Sequence, residues 1–168
     1  MKIKIGIIGC KRGQKIIEIL KKTVLDTEVV AAYDVNKKIL KKFFKNNKKI
    51  QIFNTEKSFF KFRNMNAVYI ASPVKFHAKQ TIKAAENKKN ILCEVPAFKT
   101  INEGKNIYNK LRKNKVIYMM AENYCFIPQN LALNKLIKKK LFGDLTFIRS
   151  SYIHDCRSLS FDKNNGKL

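Results

Sequence analysis

The strongest constraint on this 168-residue chain is an alternation: six short apolar runs, separated by stretches whose apolar residues recur three and four positions apart. The runs are Lys2 to Ile8, Glu28 to Tyr33, Ile50 to Phe53, Ala67 to Ala71, Asn90 to Cys93 and Val116 to Ala121, most of them continuous in Val, Ile, Ala or Leu. Continuous runs of that length read as strands buried on both faces, as in a parallel sheet covered by helices. Between them, Ile16, Ile17 and Leu20, then Ile39, Leu40, Phe43 and Phe44, then Ala78, Ile82 and Ala85, then Ile107 and Leu111 mark helical faces. The pattern predicts an α/β fold with a doubly wound parallel sheet of Rossmann type over residues 1–122. A helix from Pro128 to Lys140, ended by Gly143, and a strand from Leu145 to Ile153 predict the start of a second α+β domain over residues 123–168.

Composition narrows the class. A hydrophobic fraction of 45% with 29% charged residues belongs to a folded soluble chain. The apolar runs are too short to span a bilayer. The N-terminus carries a charge at every second residue instead of the uninterrupted apolar stretch of a signal peptide, so a cytoplasmic protein without a membrane partner is expected. Cys10, Cys93, Cys125 and Cys156 are scattered, with no C-x-x-C pair, which predicts four reduced thiols and no metal site. The formal net charge of +24 raises the possibility of a polyanion partner. The lysines, however, are spread over helix faces, as in Lys37-Lys38, Lys41-Lys42 and Lys138-Lys139-Lys140, amid abundant Asn and Ile. That mixture is what A+T-rich codons produce, and no specific nucleic-acid partner is expected.

Two local patterns point to a dinucleotide. The first strand runs into Gly6-Ile7-Ile8-Gly9-Cys10-Lys11-Arg12-Gly13-Gln14, where glycines allow a tight turn and close approach of backbone to a pyrophosphate. In strict register from Gly9 the other two glycines of the fingerprint fall on Lys11 and Gln14. With a turn one residue shorter, Gly13 takes the third place and the middle glycine is lost. Lys11 and Arg12 add positive charge there. The second pattern is Asp34 at the end of the second strand, where a carboxylate accepts hydrogen bonds from the adenosine ribose and repels a 2′-phosphate, favouring NAD over NADP. Asp34 could also serve only as a cap for the helix that begins near Asn36.

Taken together, Ile5 to Gly13, Val30 to Asp34, Ala67-Val68-Tyr69-Ile70-Ala71-Ser72-Pro73 with His77, Cys93-Glu94-Val95-Pro96-Ala97, and Met119-Met120-Ala121-Glu122-Asn123-Tyr124 resemble the glucose-fructose oxidoreductase and inositol dehydrogenase (Gfo/Idh/MocA) family. The resemblance implies that Ser72, Pro73 and His77 line the cofactor cleft, that Glu94 reaches the nicotinamide-side ribose, that Asn123 lies near the nicotinamide, and that Val95 replaces the catalytic lysine. Blander roles stay open: a helix entry for Ser72-Pro73, packing for His77, a turn for Asn123. The Glu94-Val95-Pro96-Ala97 run, Glu122 to Phe126 and Tyr152-Ile153-His154-Asp155-Cys156-Arg157 are similar to a subgroup of NAD-dependent alpha-N-acetylgalactosaminidases, in which the cofactor oxidises the sugar transiently. This implies His154 as a catalytic residue. The subgroup's tyrosine falls on Phe126, with Tyr124 as the substitute two residues earlier. The resemblance further implies a sugar or polyol substrate and a large substrate domain that mediates oligomerisation. The chain is accordingly expected to be incomplete, working as a homo-oligomer or with a complementing chain, or else to be a non-catalytic remnant.

Overall fold

The computed structural model describes residues 2–23, 26–153, 155, 161–162 and 166–167. Six parallel strands form one sheet: β1 (Ile3–Ile8), β2 (Thr27–Tyr33), β3 (Gln51–Phe53), β4 (Ala67–Ile70), β5 (Asn90–Glu94) and β6 (Tyr118–Ala121), in the order β3-β2-β1-β4-β5-β6. The order reverses between β1 and β4, the place where ligands bind in open α/β sheets. Each strand matches one of the six apolar runs to within two residues at either end.

Helices cover both faces. Ile17 of α2 (Lys15–Thr23) and Leu40 and Phe43 of α3 (Lys37–Asn46) pack with Ile5, Ile7 and Ala32 on one side of the sheet. Phe59 and Phe60 of α4 (Glu56–Phe60) and Ala84 and Ala85 of α5 (His77–Glu86) pack with Ile8, Val68 and Ile70 on the other, with Leu111 of α6 (Ile101–Asn114) against them. The helix starts are written in side chains. Asn36 accepts from the amides of Lys38 and Ile39, and Thr100 and Glu103 form a capping box that satisfies two amides reciprocally. The helix ends are less usual. Lys88, Lys115 and Lys140 close α5, α6 and the later helix α7 (Pro128–Lys138) in the left-handed region, with φ of 57, 53 and 54°, where glycine carries no steric cost.

Two features differ from expectation. The helix after β1 is broken: α1 (Cys10–Gly13) is a single turn, and Gln14 separates it from α2. Secondly, Leu145 to Ile153 has no regular secondary structure and exposes Phe147, Ile148, Tyr152 and Ile153. An apolar run becomes a strand only when another strand supplies its hydrogen bonds, and among the described residues none pairs with this one. Contacts divide the chain into two units, Met1–Asn123 and Tyr124–Leu168. The second holds α7, packed on the 3₁₀ turn Tyr124–Phe126, and a short antiparallel pair, Phe161–Asp162 with Gly166–Lys167. Among the described residues no helix is long and apolar enough to cross a membrane, and no cluster of three metal-ligating side chains occurs.

Candidate functional site

Five of the nine polar or glycine positions expected around a cofactor line one cleft at the carboxyl ends of β1, β2 and β4. Its volume is about 550 Å³, and Gly9, Lys11, Arg12, Asp34 and Ser72, with Pro73, form its walls. A separate depression of about 330 Å³, lined by Ile17, Val29, Asn46 and Ile50, reaches Thr27 at the amino end of β2, away from the switch point.

The turn itself explains its glycines. Gly9 has φ 92° and ψ 71°, and a Cβ there would lie 2.4 Å from the carbonyl carbon and oxygen of Ala71 and from the amide nitrogen of Ser72. Only a residue without a side chain lets the turn sit against the end of β4. A Cβ on Gly13 would meet Ile7 Cγ2 at 2.4 Å, so Gly13 provides the close helix-to-strand approach of the fingerprint's third glycine. The shorter-turn register is therefore the one that folds. The first helical amide bond is Gly13 to the Gly9 carbonyl, at 2.9 Å, which leaves the amides of Lys11 and Arg12 unused by the helix.

Asp34 is tied to this turn. Its Oδ2 accepts from the Cys10 amide and its Oδ1 from the Asn36 amide, both at 2.8 Å. Asn36, not Asp34, caps α3, so the reading of Asp34 as a mere helix cap is set aside. Two accepted bonds leave lone pairs on both oxygens for further donors. The neighbouring Cys10 thiol is buried, and burial, helped by the Asp34 charge, pushes it up to about 12, which makes it an inert packing group.

A second carboxylate, Glu94 at the end of β5, is held from two sides. Arg12 Nη2 donates to Glu94 Oε2 at 2.7 Å, and the Tyr69 hydroxyl donates to Oε1. Burial favours the neutral carboxyl, yet the bonds from Arg12 and Tyr69 and the Arg12 charge together hold it below the usual glutamate range. Burial, reinforced by the bond to Glu94, raises Tyr69 in turn. Sequence reasoning missed Tyr69, because it sits inside an apolar strand run. The available signal was chemical: a tyrosine hydroxyl in a buried strand needs a partner.

His77 does not line the cleft. Its ring is 1% exposed, with Nδ1 2.8 Å from the Pro96 carbonyl and Nε2 2.7 Å from the Ser72 carbonyl. It joins the loops that follow β4 and β5 from behind. Ser72 Oγ donates to Gln80 Oε1 at 2.6 Å, and Gln80 Nε2 donates to Glu56 Oε1 at 2.9 Å, a partly buried polar chain also unseen in the sequence. Val95 follows Glu94, partly exposed and without any titratable group. Asn123 is exposed beyond β6 and ends the first unit, whereas Tyr124 and Phe126 belong to the second. His154 lies outside the described residues.

Similarity to known proteins agrees with this geometry. Residues 3–122 match the oxidoreductase family with an NAD-binding Rossmann fold, Gfo/Idh/MocA. An alpha-N-acetylgalactosaminidase of Bacteroides fragilis is 30% identical over 104 residues, covering 61% of this chain and 24% of its own length. A glycosyl hydrolase family 109 protein of Solibacter usitatus is 28% identical over 171 residues, covering 95% and 39%. Among solved structures, the myo-inositol dehydrogenase of Lactobacillus casei in complex with NAD(H) and myo-inositol superimposes with a TM-score of 0.79 at 23% identity, over 85% of this chain and 43% of that one. The chain thus spans less than half the length of these relatives. With the parallel sheet, the glycine turn against β4 and Asp34 closing β2 all in place, the chain belongs to the Gfo/Idh/MocA oxidoreductase family and carries its NAD-binding Rossmann domain.

Proposed function

We propose that the cleft binds NAD(H) in preference to NADP(H), and that the protein serves a reaction on a sugar or polyol, as the activities named for its relatives suggest. The carrying observation is Asp34, fixed by the Cys10 amide at the mouth of the glycine turn. The residues present suit the group. The bare Gly9 lets the turn close against the end of β4, the amides of Lys11 and Arg12 are unused by the helix, and Asp34 keeps acceptor capacity for two ribose hydroxyls. A bound nicotinamide would supply hydride transfer. On this reading Lys11 and Arg12 balance the pyrophosphate charge, Ser72 and Pro73 bound the cleft, and Glu94 and Asn123 serve the nicotinamide side.

Calorimetric titration with both cofactors tests the proposal. Asp34→Asn should weaken NAD by about 10- to 100-fold, since a charged acceptor of two hydroxyls is lost. It should also narrow the gap to NADP, because the repulsion of a 2′-phosphate goes with the charge. Equal affinities in the unaltered protein would remove the ribose assignment.

A second reading is favoured by one observation, the Glu94-Val95-Pro96-Ala97 run, in which a dehydrogenase's proton acceptor is replaced by Val95. On that reading the protein is an NAD-dependent glycosidase, with His154 and Tyr124 at the sugar and the remaining wall supplied by further chain or a partner copy. We expect no dehydrogenase turnover on a polyol panel, because general acid-base assistance worth about 10²- to 10⁴-fold is missing at Val95. NAD-dependent release of an aryl alpha-N-acetylgalactosaminide would support the glycosidase. Polyol oxidation with Val95 intact would instead restore the plain dehydrogenase.

A further inference from the structure

We propose that Arg12 is a positioning residue: it keeps Glu94 a fixed, charged acceptor for the second ribose of the dinucleotide and so couples the glycine turn to the end of β5. The inference rests on reading the cleft as a dinucleotide site. Asp34 closes β2 and Glu94 closes β5, with β1 and β4 between them. Three strand spacings of about 4.8 Å put the two carboxylates on the order of 14 Å apart across the sheet. A pyrophosphate seated at the β1 turn, between them, would hold one ribose on either side. Asp34 takes one, and Glu94 is the acidic side chain at the carboxyl end of the strand on the other.

Glu94 could not do this unaided. Its side chain is only 11% exposed, and a carboxylate buried beside a pyrophosphate would meet both a desolvation penalty and a repulsion. The compensating charge comes from Arg12, whose side chain is 63% exposed and lines the cleft. A guanidinium has five N–H donors in a rigid fork, so holding Glu94 through Nη2 leaves others free for a phosphate oxygen. The other groups acting on Glu94 are the Tyr69 hydroxyl on β4 and His77 on α5, while Cys93 precedes it on β5. None of these replaces the Arg12 charge at 2.7 Å. Without it, burial would favour the protonated carboxyl, which offers an O–H where the ribose needs an acceptor.

The test is NADH affinity of the full chain from about pH 5 to pH 8, read by the fluorescence of the reduced nicotinamide. The variants are Arg12→Gln, Arg12→Lys, Glu94→Gln and the Arg12→Gln/Glu94→Gln pair. The unaltered protein should bind with a flat profile. Arg12→Gln should bind more weakly at every pH and, in addition, lose affinity several-fold more as pH falls toward 5, because burial then favours the neutral carboxyl. The double variant should bind weakly with a flat profile, and Arg12→Lys, which retains the charge, should stay nearly flat. His77 is unchanged in every variant, and the double variant, which keeps His77 but lacks both charges, serves as the control for it. An Arg12→Gln profile parallel to that of the unaltered protein would overturn this inference alone. Absence of NADH binding by the unaltered protein would overturn it together with the dinucleotide reading.

Discussion

Gly9→Ala should be among the most damaging single substitutions in the domain, costing about 3 to 5 kcal/mol of stability and removing dinucleotide binding in whatever fraction still folds. Two penalties add. The left-handed φ of 92° strains any L-residue, and the new Cβ would sit 2.4 Å from three backbone atoms at the end of β4. Backbone in a parallel ladder cannot step aside as a side chain could, so β1 and β4 would have to part at the switch point. Gly143→Ala is the control. Its φ of 67° carries the same kind of strain, but nothing lies within 4 Å of the new methyl, so only the conformational cost of about 1 to 2 kcal/mol is expected there. Denaturant unfolding of both variants, followed by NAD titration, checks the contrast. A Gly9→Ala protein that unfolds with the original midpoint would show that the turn relaxes freely, contrary to the packing described.

Lys89→Met should cost about 2 to 4 kcal/mol, since each buried carbonyl left unpaired costs roughly 1 to 3. Lys89 is 8% exposed, and its ammonium donates to the Phe62 carbonyl at 2.9 Å and the Met65 carbonyl at 2.5 Å. These carbonyls belong to the loop before β4, at the opposite end of the strands from the cleft. The loss should therefore appear in stability and not in the NAD affinity of the folded protein. Burial pulls the Lys89 ammonium below its ordinary value of 10.5. Its folded-state affinity for the proton is thus lower than in the unfolded chain. The unfolded state binds more protons as pH rises toward 10.5, so this group makes stability increase with pH in that alkaline window. The methionine variant should lack that slope. Urea midpoints measured from neutral to alkaline pH read both effects, and a neutral substitution would mean that water satisfies the two carbonyls.

The sheet was legible because a strand buried on both faces leaves a continuous apolar run whatever its neighbours are. Ala67 to Ile70 and Asn90 to Glu94 illustrate this. The place of Asp34 was legible too, since it directly follows the apolar run that forms β2. The helix Glu56–Phe60 was not recognised, for five residues give no periodicity to count. Leu145 to Ile153 was misread for the opposite reason. Its composition suits a strand, but strand formation is decided by the partner and not by the run. The Arg12, Tyr69 and Glu94 cluster was illegible as a cluster, because its members come from a turn, a core strand and a strand end separated by up to 82 residues. Proximity of that kind is a product of topology, and local pattern does not report it.

The two carboxylates that grip the glycine turn also set the order in which the cleft can be assembled. The turn precedes both of its partners in the chain: its Cys10 amide waits for one 24 residues later and its Arg12 side chain for one 82 residues later. Loop-closure entropy must be met before either contact returns anything, so the cleft acquires its final shape only after β5 has joined the sheet. Cofactor capture is consequently a property of the assembled strands, and the glycine-bearing segment that most resembles a nucleotide site would bind little on its own.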